Sequence, residues 1–175
     1  MTDSLPPAAR PSSVNAIVAC DENRLIGRAG RLPWRIREDW NWFMGHTLGG
    51  ACVIGRVSYE AMLRGGHIDE KRRFYVVTSN KALENSFAEV FSDSSSALAA
   101  AKHSGLPVWI CGGSRIYTET FPACERLYLT RIHARVPGGD AWIDDWTPFF
   151  ADKPVWSRQS ADGKFGYSFE VYDRR

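Results

Sequence analysis

At 175 residues, 44% of them apolar and 24% charged, the chain has the size and composition of one globular domain, neither disordered nor membrane-like. A formal net charge of +2 falls short of the concentrated basic face that nucleic-acid phosphates demand, so no nucleic-acid partner is expected. The opening MTDSLPPAARPSS has no apolar targeting core and no run of about 18 apolar residues follows, which leads to the expectation of a soluble, cytoplasmic protein without a membrane partner.

Residues 1–13 are expected to form a disordered tail and residues 14–175 a single domain. VNAIVAC (14–20) is a short β-branched run that suits a central strand. DENRLIGRAGRLPW (21–34) reads as a long irregular loop, and such loops in compact domains are often functional. A helix is predicted from about Arg35 through a Trp-rich segment, until Gly49 and Gly50 break it. ACVIG (51–55) is a second buried strand, SYEAML (58–63) a short helix, RGGHIDEKR (64–72) a loop and FYVVTS (74–79) a third strand. SDSSSALAAAKHSG (92–105) carries cap-type residues at its start and glycine at its end, the two stop signals of a helix. PVWIC (107–111), GGSRIYTETF (112–121) and RLYLTRI (126–132) read as strand, helix and strand, and GYSFEVYDR (166–174) alternates as an antiparallel finish. Strands and helices that take turns imply an α/β fold with a mostly parallel sheet covered on both faces.

Three stretches carry chemistry. In LPWRIREDWNWF (32–43) the residues Ile36, Asp39, Trp40 and Phe43 fall on one helical stripe, so a carboxylate sits where an apolar residue belongs. Without a donor such a group is costly to bury, and the missing donor is read as a ligand. In VWICGGSRIY (108–117) two glycines between a strand and a helix let a backbone approach a ligand, although a tight structural turn explains the pair equally well. VIGRVSYE (53–60) repeats that logic at Gly55, Arg56 and Ser58, and two such turns on one sheet edge suggest a dinucleotide. Arg24, Arg28, Arg31, Arg35 and Arg37, and then Lys71, Arg72 and Arg73, form basic runs that read either as solvated surface or as a rim for a small polyanion. The four cysteines and four histidines show no metal-ligand spacing, so no metal is expected.

In order and spacing these motifs, with the terminal YSFEVYDRR, resemble dihydrofolate reductase from about Ile17 to Arg175. The resemblance implies a sheet of about eight strands with an antiparallel C-terminal strand, NADPH as cofactor, dihydrofolate as substrate and a monomer. It implies that Asp39 accepts hydrogen bonds from the N3 and 2-amino groups of the pterin and tunes proton delivery to N5, with Thr130 in its hydrogen-bond chain and Leu32 and Trp34 in a mobile closing loop. Ile17 and Cys111 offer carbonyls to the pterin edge, beside Val18, Trp40, Phe43 and Tyr117. Arg72 clamps the α-carboxylate of the glutamate tail by its guanidinium fork, with Lys71 or Arg73 as stand-ins. On the cofactor side the resemblance assigns Arg56 and Ser79, with Lys81, to the 2′-phosphate. It assigns Ser58, Gly112, Gly113, Ser114 and Arg115 to the pyrophosphate, across a Gly-Gly bond that is cis in the family. Ala19, Ile26, Gly27, Gly55, Val57, Thr78, Cys111, Ile116 and Tyr117 complete the cofactor wall. Trp40 departs from the family's smaller residue and narrows the pocket near the substrate's benzoyl group. RGGHIDEKR departs from the common loop by its length and lack of prolines, while Asp140 keeps the acid that supports the closed mobile loop. A related reductase of riboflavin biosynthesis, or a binding module without turnover, are the rivals, and Asp39 tells against the first.

Overall fold

The apolar runs pair into one sheet in a computed structural model, which describes residues 4–175. In chain order the elements are β1 (Val14–Cys20), β2 (Leu25–Gly27), α1 (Arg37–Thr47), β3 (Ala51–Gly55), α2 (Arg56–Arg64), β4 (Arg73–Val77), β5 (Ala88–Phe91), α3 (Ser94–His103), β6 (Val108–Ile110), α4 (Ser114–Thr120), β7 (Arg126–Ile132), β8 (Ala141–Trp142), β9 (Trp156–Ala161) and β10 (Gly166–Asp173). Eight strands run in the order β5-β4-β3-β6-β1-β7-β10-β9. Every neighbouring pair from β5 to β7 is parallel, and the β7-β10 and β10-β9 pairs are antiparallel. The parallel sheet, the strand number and the antiparallel C-terminal strand are thus as expected. β2 and β8 form a separate two-stranded sheet.

Strand side chains alternate between two cores, as a pleat requires. Val14, Ala16, Val18 and Cys20 of β1 pack toward Ala97 and Ala101 of α3 and Ile116 and Tyr117 of α4. Ile17 faces the other way with Cys52, Ile54 and Trp109, under Tyr59 and Met62 of α2 and Trp40, Trp42 and Phe43 of α1. Helices therefore cover both faces. α1 starts at Arg37, two residues after the expected Arg35, because Ile36 is extended at the N-cap (φ −115, ψ 107). α3 is capped by Asp93, whose side chain accepts from the Ser96 N–H.

β10 alternates in residue type but is buried from Tyr167 through Tyr172. Its polar positions form a network instead of facing water: Ser168 and Tyr172 hydroxyls donate to Glu170 at 2.7 and 2.6 Å, and Arg131 donates to it at 3.0 Å. Burial pushes the Glu170 carboxyl up, but Arg131 and the two hydroxyls outweigh it and hold the carboxyl below its ordinary range.

The described part of the tail expected over 1–13 makes contacts with the sheet. Tyr128 donates to the Pro7 carbonyl at 2.7 Å, Trp156 Nε1 donates to the Ser4 carbonyl at 2.7 Å, and Arg10 pairs with Glu125 at 2.7 Å, so residues 4–13 are strapped across the sheet. Residues 1–3 of that expectation lie outside the described residues.

Candidate active site

Because β1, β3, β4 and β6 are parallel, their carboxyl ends share one edge, where a sheet of this kind opens toward ligands. A cleft of about 1170 Å³ lies there, bounded by β1 and the loop after it, α1, the start and end of α2, and the turn before α4.

Asp39 occupies the middle of the α1 wall and is 7% exposed. Among the described residues no N–H or O–H group makes a hydrogen bond of ordinary geometry to it. Burial pushes its pKa up from 3.8 to about 6, and the nearby Thr130 hydroxyl opposes the rise. Thr130 is buried on β7, and its Oγ1, like the Trp34 Nε1, has no hydrogen-bond partner among the described residues. Unpaired buried polar groups are costly, and of these two residues Trp34 lines the cleft while Thr130 lies behind it. The helix that aims Asp39 is fixed by the preceding residue. Glu38 accepts from Ser160 at 2.6 Å and from Tyr167 at 2.8 Å, and pairs with Arg158 at 2.7 Å, which ties the first turn of α1 to β9 and β10.

The opposite wall is backbone. The Gly112–Gly113 peptide is cis, Gly112 has φ +91, and the Gly55 N–H donates to the Gly112 carbonyl at 2.6 Å. A Cβ on Gly55 would sit 3.4 Å from the Gly113 nitrogen, so the two turns suspected in the sequence meet. Tyr117 donates to the Ile17 carbonyl at 2.7 Å, which takes one of that carbonyl's two lone pairs. Arg56 at the start of α2 is half exposed and pairs with Glu60 at 2.9 Å. Asp140 accepts from the Ala29 N–H at 2.7 Å and so ties its loop to the segment that borders the cleft.

Of the expected site residues, the cleft is lined by Ile17, Val18, Ala19, Ile26, Gly27, Leu32, Trp34, Asp39, Trp40, Phe43, Gly55, Arg56, Val57, Ser58, Cys111, Gly113, Ser114, Arg115, Ile116 and Tyr117. Gly112 and Thr130 lie buried behind that wall. Thr78 and Ser79 stand just past the end of β4, beyond Val77, which does line it. Arg72 stands off this lining. It is 3% exposed, and its guanidinium donates to Thr47 Oγ1 at 2.9 Å, to Asp69 at 2.9 Å and to the Met44 carbonyl at 2.5 Å. Its Nε, Nη1 and Nη2 thus all hold bonds within the fold, and Arg72 is not among the residues that line the cleft.

Sequence reasoning missed other lining residues, among them Met62, Arg64 and His67 at the far end of α2, and treated Arg31, Arg35 and Arg37 only as a general basic run. The available signal was the Gly65–Gly66 pair, a second place where the chain turns back toward the site. No cluster of His, Cys, Asp and Glu among the described residues could hold a metal, and none of their helices is long and apolar enough to cross a membrane.

The family model described as dihydrofolate reductase matches residues 13–174. A dihydrofolate reductase of Staphylococcus haemolyticus is 28% identical over 92% of this chain and 95% of its own length, and one of Bacillus subtilis is 30% identical over 93% and 95%. A solved dihydrofolate reductase from Enterococcus faecalis, complexed with NADP(H) and RAB-propyl, superposes with a TM-score of 0.84 at 29% identity, covering 95% of this chain and 99% of that one.

Proposed function

Because the chain belongs to the dihydrofolate reductase family, we infer that it reduces 7,8-dihydrofolate to tetrahydrofolate with NADPH, and that Asp39 is the group around which the reaction is organised. The observation that carries this assignment is the carboxylate itself: 7% exposed, on an otherwise apolar stripe, and lining a cleft large enough for a substrate and a dinucleotide.

Asp39 accepts hydrogen bonds from the amidine edge of the pterin and so fixes the ring's orientation. An ionised carboxylate in a poorly solvated wall also favours positive charge on the ring, which makes N5 a better proton acceptor and C6 a better electrophile. Trp34 and Leu32 on the segment between β2 and α1 shield that end of the cleft from bulk water, and Thr130 supports the carboxylate from beneath. NADPH, when bound, supplies the hydride. The residues present fit such a cofactor. The side-chain-free approach of Gly55 to Gly113 leaves backbone room, Ser58 and the first N–H groups of α2 face the same turn, and Arg56 stands at its mouth. The residues hold the two rings in register, and that alignment is the protein's main contribution to the rate.

A monomer in the cytoplasm is part of the same proposal. The activity is tested by following NADPH oxidation on addition of dihydrofolate: turnover is expected, and its absence with folded protein removes the reading. The cofactor assignment has its own test. Arg56→Ala should weaken NADPH about tenfold, equivalent to ~1.4 kcal/mol, while leaving NADH within about twofold. Equal losses for both cofactors, measured by fluorescence titration, would place the 2′-phosphate elsewhere.

A further inference from the structure

Residues 4–12 precede the stretch that matches the family, which starts at residue 13. They are nonetheless held. SLPPAAR (4–10) contains two prolines, whose rings fix φ and whose missing N–H groups leave the segment with more acceptors than donors. Three of its carbonyls accept from side chains of the sheet: Ser4 from Trp156 Nε1 at 2.7 Å, Pro7 from the Tyr128 hydroxyl at 2.7 Å, and Ala8 from Arg126 at 3.2 Å. Ala9 packs on the core beneath.

The two aromatic anchors also carry α1. The Trp156 ring stacks on Trp42 with centroids 5.6 Å apart and planes at 12°, and the Tyr128 ring lies 4.8 Å from His46 and 6.3 Å from Trp42. Phe169 closes the layer at 4.7 Å from Trp42. Each anchor thus holds the strap by its polar tip and the helix by its ring. Burial pushes the His46 pKa down from 6.5 to about 4, so this ring packs as a neutral aromatic group. α1 needs such support. Of its eleven residues only Asp39 and Thr47 are buried, and its N-cap makes no side-chain hydrogen bond. Trp42 stands three residues after Asp39, on the same side of the helix.

We propose that the strap is a brace for the active site: by holding Trp156 and Tyr128 against Trp42 and His46 it fixes α1, and so places Asp39 for the pterin. The proposal rests on the function inferred above. Tyr128 and Trp156 are positioning residues, and neither lines the cleft.

Two pairs of substitutions in the full chain break the brace from opposite sides. Pro6→Gly with Pro7→Gly loosens the strap and leaves sheet and helix intact, while Tyr128→Phe with Trp156→Phe removes two donors and keeps a ring at each place. In each pair kcat/KM for dihydrofolate should fall about threefold or more, measured well below the unfolding midpoint, with the NADPH dissociation constant within about twofold of wild type. Amide hydrogen exchange in α1 should quicken relative to α2. Because both pairs cut one connection, all four substitutions together should lower kcat/KM no further than the worse pair alone. Kinetics unchanged in both pairs, even with a lowered midpoint, or losses that multiply when the pairs are combined, overturn the brace while leaving the reductase in place. A wild-type protein that does not turn over dihydrofolate, with α1 exchange still quickened in both pairs, overturns the proposed activity and leaves the coupling of strap to helix.

Discussion

Asp39→Asn is expected to slow turnover at least tenfold near neutral pH while making the protein more stable there. The rate loss follows from the amide's inability to act as a charged acceptor, and tenfold corresponds to ~1.4 kcal/mol of barrier. The gain in stability follows from burial. The folded carboxyl has its pKa raised from 3.8 to about 6, so the fold favours the neutral form. That contribution is fully present below about pH 4 and is lost as the pH rises through about 6, leaving a charged, unpaired Asp39 that costs on the order of 3 kcal/mol at pH 7 to 8. Asparagine keeps the shape without the charge. In urea unfolding the variant should exceed wild type by roughly 2–3 kcal/mol at pH 8, and the gap should close toward pH 4. A variant less stable than wild type at pH 8 would mean that Asp39 is structurally paired.

Gly112→Ala is expected to damage fold and cofactor site together. Gly112 has φ +91, where a residue with a Cβ is strained by about 1–3 kcal/mol. The new Cβ would also lie 2.8 Å from the Tyr117 ring, which is buried and held by its bond to the Ile17 carbonyl. Moving the ring forfeits that bond, worth ~1 kcal/mol, so the total loss is about 3 kcal/mol. Because Gly113 meets Gly55 at the same turn, NADPH should bind at least tenfold more weakly. Denaturant midpoints and NADPH fluorescence measure the two effects. Affinity within twofold of wild type would detach this turn from the cofactor.

What was legible in the sequence was whatever local pattern decides. β1, β3, β6 and β7 are apolar runs closed by turn residues, and α3 announces both of its ends. Asp39 stood out because a helical stripe makes a misplaced carboxylate visible. The rest depends on partners distant in the chain. β9, WSRQSA, is a polar strand that only its pairing to β10 creates, and β2 and β8 need each other. The segment 4–13 has no apolar period, and it is ordered by carbonyls that happen to meet Tyr128, Arg126 and Trp156. Arg72 sits between two exposed basic neighbours, and nothing local says which of the three turns inward. Its partners Met44 and Thr47 belong to another element. His67 was hidden for the same reason, since its contact with Trp40 spans α2.

The most direct test of the central claim is the pH titration of the Asp39 side-chain carboxyl carbon by NMR, assigned by comparison with Asp39→Asn, in the free protein and with folate bound. A midpoint near pH 6 in the free protein, moved downward when the pterin supplies hydrogen-bond donors to the carboxylate, is the expected result. A midpoint near 4 in the free protein, or one that folate leaves in place, would contradict it.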